Sequence, residues 1–321
     1  MRAASLTAVC LVTTIGLFGA VNAQPPGQPL PEGIRYGSET VPEEGVEIRS
    51  YLFEDTGEQL PYSVFVSSNV KPDVPAPLII GLRGFTGTTL TLVRGTARDL
   101  AEEGGYILVG PIGYNNRAGF GVMPRARAGG PPAAAPGAPG ARGAAPGRGA
   151  APPGAAPGRG AAGPGASGRG QPPVIGGTAE TDPVRVTEFS EKDVMNVLAM
   201  VRAEFNIDER RIYVVGHSQG GGGARHLAEK YPSIWAGVAL LAPALFDVEL
   251  TAESNIVDLP VMIAVGDQDS LITSSRAFAE QLKTLGATYE YKEYAGLDHG
   301  TIILGSMPEV FAFFGRHAKP E

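Results

Sequence analysis

The sequence predicts an α/β fold, a mostly parallel central sheet with helices on both faces, and three observations predict it. Short apolar, β-branched runs alternate along the chain with longer segments whose apolar residues recur at helical spacing. Several of those runs, at 78–82, 106–109, 212–215 and 261–265, are apolar almost without interruption, the pattern of strands buried on both faces rather than one. The chain also has the material for such a core, with 321 residues of which 43% are hydrophobic.

Taken in order, residues 46–53 and 60–67 read as two strands joined through Glu54-Asp55-Thr56-Gly57, where Gly57 can adopt positive φ. Three prolines within 71–77 make a connection, and Leu78-Ile-Ile-Gly-Leu82 is the next central strand, ending in Arg83-Gly-Phe-Thr-Gly-Thr88. A helix is predicted over 89–103, stopped by Gly104-Gly105, followed by a strand at 106–109. After a long interruption, Ser190 ahead of Glu191-Lys-Asp193 marks a helix start, with Val194, Val197, Leu198, Val201 and Phe205 at helical spacing. Asn206-Ile-Asp-Glu-Arg210 is a turn into the strand 212–215, and a glycine-rich helix follows over 221–230. The remaining strands are predicted at 235–241, 261–265 and 288–294, with helices at 274–285 and 307–317.

The interruption at 125–172 is almost wholly Gly, Ala, Pro and Arg. It has no large apolar side chains to offset ordering entropy, and its glycines lack the every-third spacing of collagen. It is expected to be a disordered low-complexity insertion: expanded repetitive sequence without a task, an electrostatic tether to an acidic polymer or surface, or a mobile flap near the active site. It carries six arginines (125, 127, 142, 148, 159 and 169) and no acid. The formal charge of −7 becomes −8 without Arg2 and −14 when those six are also set aside, so the remainder is strongly acidic. That balance argues against nucleic acid as a partner.

At the start, Met1-Arg2, an apolar stretch over 6–20 and Val21-Asn22-Ala23 read as a signal peptide cut after Ala23. The stretch is short for a stable membrane anchor. Cys10, the only cysteine, lies within it, so the mature chain has no thiol for disulfides, metal ligation or nucleophilic attack. A secreted or periplasmic location follows as an expectation. Residues 24–45, rich in Pro and Gly, are expected to form a flexible arm ahead of one domain over 46–321.

The stretch that can carry chemistry is Arg211-Ile-Tyr-Val-Val-Gly-His-Ser-Gln-Gly-Gly-Gly-Gly-Ala224. A buried strand turns here into a helix with Ser218 at the apex. Gly216 and Gly220 stand where a tight turn leaves no room for a Cβ, the arrangement of a nucleophile elbow. In a chain with 45 glycines, Gly-His-Ser-Gln-Gly is weak alone and rests on its strand-to-helix context. A serine hydroxyl needs a base, and four histidines are available. The side chain of His217 must diverge from that of Ser218, His226 lies along the following helix as an exposed or packing residue, and His317 is near the chain end. His299, in the glycine-bounded loop Ala295-Gly-Leu-Asp-His-Gly300, is the candidate base. For the carboxylate that orients it, Val-Gly-Asp-Gln-Asp offers Asp269 in the loop and Asp267 in the tight turn. Asp269 is favoured, with Asp267 capping amides, Asp298 a turn residue and Asp247 the outside alternative. The backbone amides of Gln219 and Phe85 are the candidate donors for a developing oxyanion. The aromatic residues Tyr106, Tyr114, Phe120 and Trp235 read as ordinary packing.

On Leu-Ile-Ile-Gly-Leu-Arg-Gly-Phe, Asn-Ile-Asp-Glu-Arg-Arg-Ile-Tyr-Val-Val-Gly-His-Ser-Gln-Gly-Gly, Val-Gly-Asp-Gln-Asp and Asp-His-Gly, the chain resembles α/β-hydrolase-fold serine esterases. The likeness is to the extracellular feruloyl-esterase and polyhydroxybutyrate-depolymerase type, with carboxylesterase/phospholipase and prolyl-oligopeptidase-like domains related. It covers about 46–122 and 186–317. It implies an α/β-hydrolase fold with Ser218 as nucleophile, His299 as base, Asp269 as acid, and Gln219 and Phe85 at the oxyanion. It also implies carboxylic-ester hydrolysis of a small-molecule or polymeric substrate, without cofactor or metal. Arg83-Gly84 departs from the His-Gly common in such enzymes, and the insertion is no part of the pattern. A peptidase of the prolyl-oligopeptidase-like type, or an inactive hydrolase scaffold that binds, are the alternatives.

Overall fold

A computed structural model describes residues 33–123, 173–245 and 248–320. The expected signal peptide, Cys10, the first part of the arm, the 125–172 insertion and Asp247 lie outside the described residues.

Eight strands form one sheet in the order β1-β2-β4-β3-β5-β6-β7-β8. Strands β1 (Val46–Phe53) and β2 (Glu58–Val66) pair antiparallel as a hairpin, with Gly57 at φ 70° in the turn. β2 also runs antiparallel to β4 (Ile107–Pro111), and from there every pairing is parallel, through β3 (Ala76–Leu82), β5 (Ile207–His217), β6 (Gly237–Leu241), β7 (Val261–Gly266) and β8 (Tyr289–Tyr294). Every residue of β3, β4, β6 and β7 is buried, as their unbroken apolar runs require.

Alternation along each strand divides the core between the two faces of the sheet. Leu78, Ile80 and Leu82 point to one side, where they pack with α2 (Pro183–Glu204), α3 (Gln219–Lys230) and α4 (Ile272–Thr284). Ile79, Tyr213 and Val215 point to the other, against α1 (Gly95–Gly104), α5 (Ile302–Gly305) and α6 (Met307–Arg316). Burying each large aliphatic side chain in this way stabilises the fold by about 1.5–3 kcal/mol before entropy is counted. Tyr106, Tyr114, Phe120 and Trp235 are all buried, and the Trp235 indole N–H donates to the Leu227 carbonyl at 3.1 Å.

Three boundaries differ most from the sequence reading. α1 begins at Gly95 rather than at 89. Residues 89–94 are instead a turn that buries Leu90, Leu92 and Val93, and Gly95 follows it at φ 55°. α2 begins at Pro183, seven residues before Ser190, because Asp182 caps it by accepting from the amides of Val184 and Arg185, both at 3.0 Å. Ser190 lies inside the helix, its hydroxyl bonded back to the Thr187 carbonyl at 2.7 Å. The predicted turn at 206–210 is mostly strand, since β5 already starts at Ile207 and a register shift opposite Ala76 and Leu78 absorbs the irregularity.

Over 33–45 the arm is bonded to later parts of the chain. The Arg35 amide donates to Thr96 Oγ1 at 2.7 Å, its guanidinium bonds Asp99 and Glu43, and the Tyr36 hydroxyl donates to the Gly300 carbonyl at 3.1 Å. Among the described residues no helix is long and apolar enough to cross a membrane.

Candidate active site

β5 delivers Ser218 to the end of the parallel strands, and the turn there is as tight as its glycines require. A Cβ on Gly216 would lie 2.0 Å from the Gly220 carbonyl oxygen, and one on Gly220 would lie 2.1 Å from that of Leu82. Ser218 itself sits at φ 55°, ψ −116°, a conformation that costs a non-glycine residue about 1–3 kcal/mol. The surroundings hold it there. The Ser218 amide donates to the Leu241 carbonyl at 2.9 Å, and its own carbonyl accepts from Gly221 at 3.0 Å and Ala244 at 2.9 Å.

The loop after β8 brings His299 over this turn, with Nε2 2.9 Å from Ser218 Oγ. Its Nδ1 lies 2.7 Å from Oδ2 of Asp269, in the loop between β7 and α4. The other oxygen of Asp269 accepts from the Leu271 amide at 2.8 Å. Burial pushes the Asp269 carboxyl up, but the bonds from His299 and Leu271 outweigh burial and hold it below the usual carboxylate range. An ionised Asp269 makes Nδ1 the protonated nitrogen and leaves the Nε2 lone pair facing the serine hydroxyl.

The competing carboxylates have other partners. Asp267 Oδ1 accepts from the Gly296 amide at 2.9 Å, and Asp298 Oδ1 accepts from the amides of Gly300 and Thr301 at 3.0 and 2.8 Å. His226 on α3 bonds Glu191 on α2 at 2.7 Å, and the His317 ring lies 4.6 Å from that of Phe313.

His217 has a part that sequence reasoning missed. Its ring packs against that of His299, tilted by 50° with 4.6 Å between centroids, and its Nε2–H donates to the His299 backbone carbonyl at 2.7 Å. Burial, then the proximity of His299, pushes its pKa down to about 3. A neutral ring therefore props the His299 loop without opposing a positive charge on its neighbour. The two histidines are 82 positions apart, so no local feature of the sequence points to this contact.

Two backbone amides face no acceptor among the described residues. Gln219 is the first residue of α3, whose opening N–H groups have no partner within the helix and carry the positive end of its dipole. Phe85 lies in the loop after β3, its side chain 59% exposed. That loop abuts the elbow, since a Cβ on Gly84 would lie 2.8 Å from His217 Nδ1 and 3.4 Å from Ser218 Cβ. A hydroxyl facing a ring nitrogen, a carboxylate that orients the ring, and two amide donors, one at a helix start and one in the loop after β3, can together perform acyl transfer.

A family model described as alpha/beta hydrolase fold matches residues 161–261, which include the elbow but not Asp269 or His299. Among solved structures, an S-formylglutathione hydrolase from Agrobacterium tumefaciens is 15% identical with a TM-score of 0.57, covering 89% of this chain and 98% of its own. A CE1 ferulic acid esterase from Anaeromyces mucronatus, in complex with ferulic acid, is 15% identical with a TM-score of 0.55, covering 89% and 96%. A thermostable esterase is 17% identical with a TM-score of 0.53 over 86% of this chain, which spans 64% of that protein's length. No curated protein sequence matches. Sheet order, elbow and family model agree, and the chain has the α/β-hydrolase fold.

Proposed function

We propose that this protein is a serine hydrolase that cleaves carboxylic esters through an acyl-enzyme. The observation that carries the reading is the unbroken relay from Asp269 through His299 to Ser218, at 2.7 and 2.9 Å, with the amides of Gln219 and Phe85 left without acceptors among the described residues. His299 Nε2 takes the Ser218 proton as Oγ attacks the ester carbonyl carbon. The carbonyl oxygen becomes an oxyanion held by the N–H groups of Gln219 and Phe85. Collapse expels the alcohol, which takes the proton from His299, and Ser218 is left acylated. Water then attacks the acyl carbon with His299 again as base, releasing the acid and restoring the hydroxyl. Asp269 stays ionised throughout and stabilises the imidazolium.

Several structurally similar proteins are named as esterases, which supports ester rather than peptide substrates. On the sequence features already given, the enzyme is exported after cleavage at Ala23 and acts on a small-molecule or polymeric ester, with the Arg-rich insertion meeting an acidic polymer or surface.

Short p-nitrophenyl esters test the reading. The wild type is expected to hydrolyse them and to be labelled by a fluorophosphonate at Ser218, while Ser218→Ala does neither. Hydrolysis unchanged in Ser218→Ala would remove the mechanism.

A further inference from the structure

Arg83 is a residue for which an esterase mechanism has no stated use, and it is the point at which this chain departs from the family pattern. It is fully buried, and all five of its N–H groups are engaged. Nε donates to the Ile112 carbonyl at 3.0 Å, one Nη1 hydrogen to the Gly84 carbonyl at 3.1 Å and the other to Gln219 Oε1 at 3.2 Å. Nη2 donates to the carbonyls of Asn115 and, at 2.9 Å, Ala118. The guanidinium also lies over the Phe120 ring, 4.7 Å from its centroid. Every one of these acceptors is neutral, and the Asp193 carboxylate acts on the guanidinium only through space, without a direct bond. Burial lowers its pKa to about 9, which still leaves it charged at neutral pH.

A buried charge is an expensive way to fill space, since apolar residues of similar volume usually serve as well or better. What the fork provides is direction. The Gly84 carbonyl and the Phe85 N–H belong to one planar trans peptide, so they point opposite ways. Holding that carbonyl toward Nη1 fixes the heading of the Phe85 N–H, and a second bond from the Gly87 amide at 3.0 Å holds the same oxygen. The other Nη1 hydrogen grips the side chain of Gln219, whose amide opens α3, and Gln219 Nε2 donates in turn to the Arg117 carbonyl at 3.0 Å. The Thr86 amide ties the Phe85 loop to the Asn116 carbonyl at 2.7 Å. One planar cation thus joins three segments that come from distant parts of the chain.

We infer that Arg83 is the positioning residue of the oxyanion-binding half of the site, fixing the Gly84–Phe85 peptide plane and the first residue of α3 relative to one another. The inference rests on Ser218 being the nucleophile. An ammonium cannot reproduce it, because a lysine has three donors on one nitrogen and cannot span carbonyls on opposite sides of the fork.

The test uses Arg83→Lys, Gln219→Met and the double variant in the full chain, with folding followed by circular dichroism and melting temperature. On p-nitrophenyl butyrate, kcat per folded molecule is expected to fall about 100-fold in Arg83→Lys and about tenfold in Gln219→Met, with KM within about threefold of wild type. The double variant should fall less than the product of the two, since both break one tie. Affinity for a trifluoromethyl ketone, which forms a tetrahedral oxyanion adduct on a serine, should fall in parallel with kcat/KM. A lowered melting temperature with wild-type kcat and ketone affinity would overturn the inference and leave Arg83 a packing residue. So would a loss confined to KM. If Arg83→Lys does not fold, the ketone affinity of Gln219→Met decides in the same sense. Full activity in Ser218→Ala would instead break the underlying mechanism, an outcome distinct from an inert Ser218→Ala beside an unaffected Arg83→Lys.

Discussion

Replacing Asp269 by asparagine removes one charge and keeps the shape, so it isolates what the carboxylate does for His299. Asp269 accepts twice, from His299 Nδ1 at 2.7 Å and from the Leu271 amide at 2.8 Å, and its side chain is wholly buried. An asparagine can present its oxygen to only one of them. If the oxygen keeps His299, the new NH2 meets the Leu271 N–H donor to donor, which costs about 1–3 kcal/mol for the unsatisfied buried groups. If the oxygen keeps Leu271, the NH2 faces Nδ1 and selects the tautomer protonated at Nε2, which donates to Ser218 instead of accepting from it. In both arrangements the imidazolium of the proposed attack has lost its counter-charge. Wrong-tautomer and lost-charge effects of this kind reduce kcat about 10⁴-fold, or about 5 kcal/mol in the barrier. Steady-state kinetics on p-nitrophenyl acetate, with folding checked by near-ultraviolet circular dichroism, measures it. A kcat within tenfold of wild type in a folded Asp269→Asn protein would refute the argument that this carboxylate works through His299.

Gly84→Ala places a methyl group 2.8 Å from His217 Nδ1, so the Phe85 loop must move; an ester assay should show kcat reduced about 100-fold, and an unchanged kcat would mean the loop has slack. Tyr36→Phe removes the donor to the Gly300 carbonyl beside His299 and should lower stability by about 0.5–1.5 kcal/mol in a urea titration, with a few-fold loss of kcat. Two buried groups should give opposite acid dependence. His217 resists protonation down to about pH 3, so its contribution is present above an unfolded pKa near 6.5 and is lost as pH falls from there toward 3. Burial raises Asp193 to about 6, although bonds from Tyr51 and Gly113 oppose the rise, so its contribution is present below an unfolded pKa near 3.8 and is lost as pH rises through 6. Urea midpoints between pH 4 and 6 should therefore change little in the wild type, rise on acidification in His217→Gln and fall on acidification in Asp193→Asn; equal slopes in the two variants would contradict these assignments.

What could be read from the chain was whatever a single stretch determines by itself. The strands at 78–82 and 261–265 announced themselves because burial on both faces demands an unbroken apolar run, and Gly216 and Gly220 marked the elbow because each stands where a Cβ would strike a carbonyl about 2 Å away. Ser218, His299 and Asp269 could be nominated because so few histidines compete and because each sits in a loop directly after a strand, where a parallel sheet gathers its loops. The start of α2 is equally local, since Asp182-Pro183 is a complete capping signal, but it stands just beyond the low-complexity stretch and ahead of the apolar periodicity that begins at Val194. The roles of Arg83, His217 and the arm are of another kind. Arg83 meets Gln219 across 136 positions, His217 meets His299 across 82, and Tyr36 meets Gly300 across 264, and nothing in the residues near any of them specifies the partner. An arginine after a buried strand reads as a helix-facing or surface cation until the loops around it are placed. Only then do its five neutral acceptors appear. The groups proposed to react are therefore legible because their chemistry narrows the choice, whereas the groups that aim them are not, because aiming is done by contacts that exist only once the sheet has assembled.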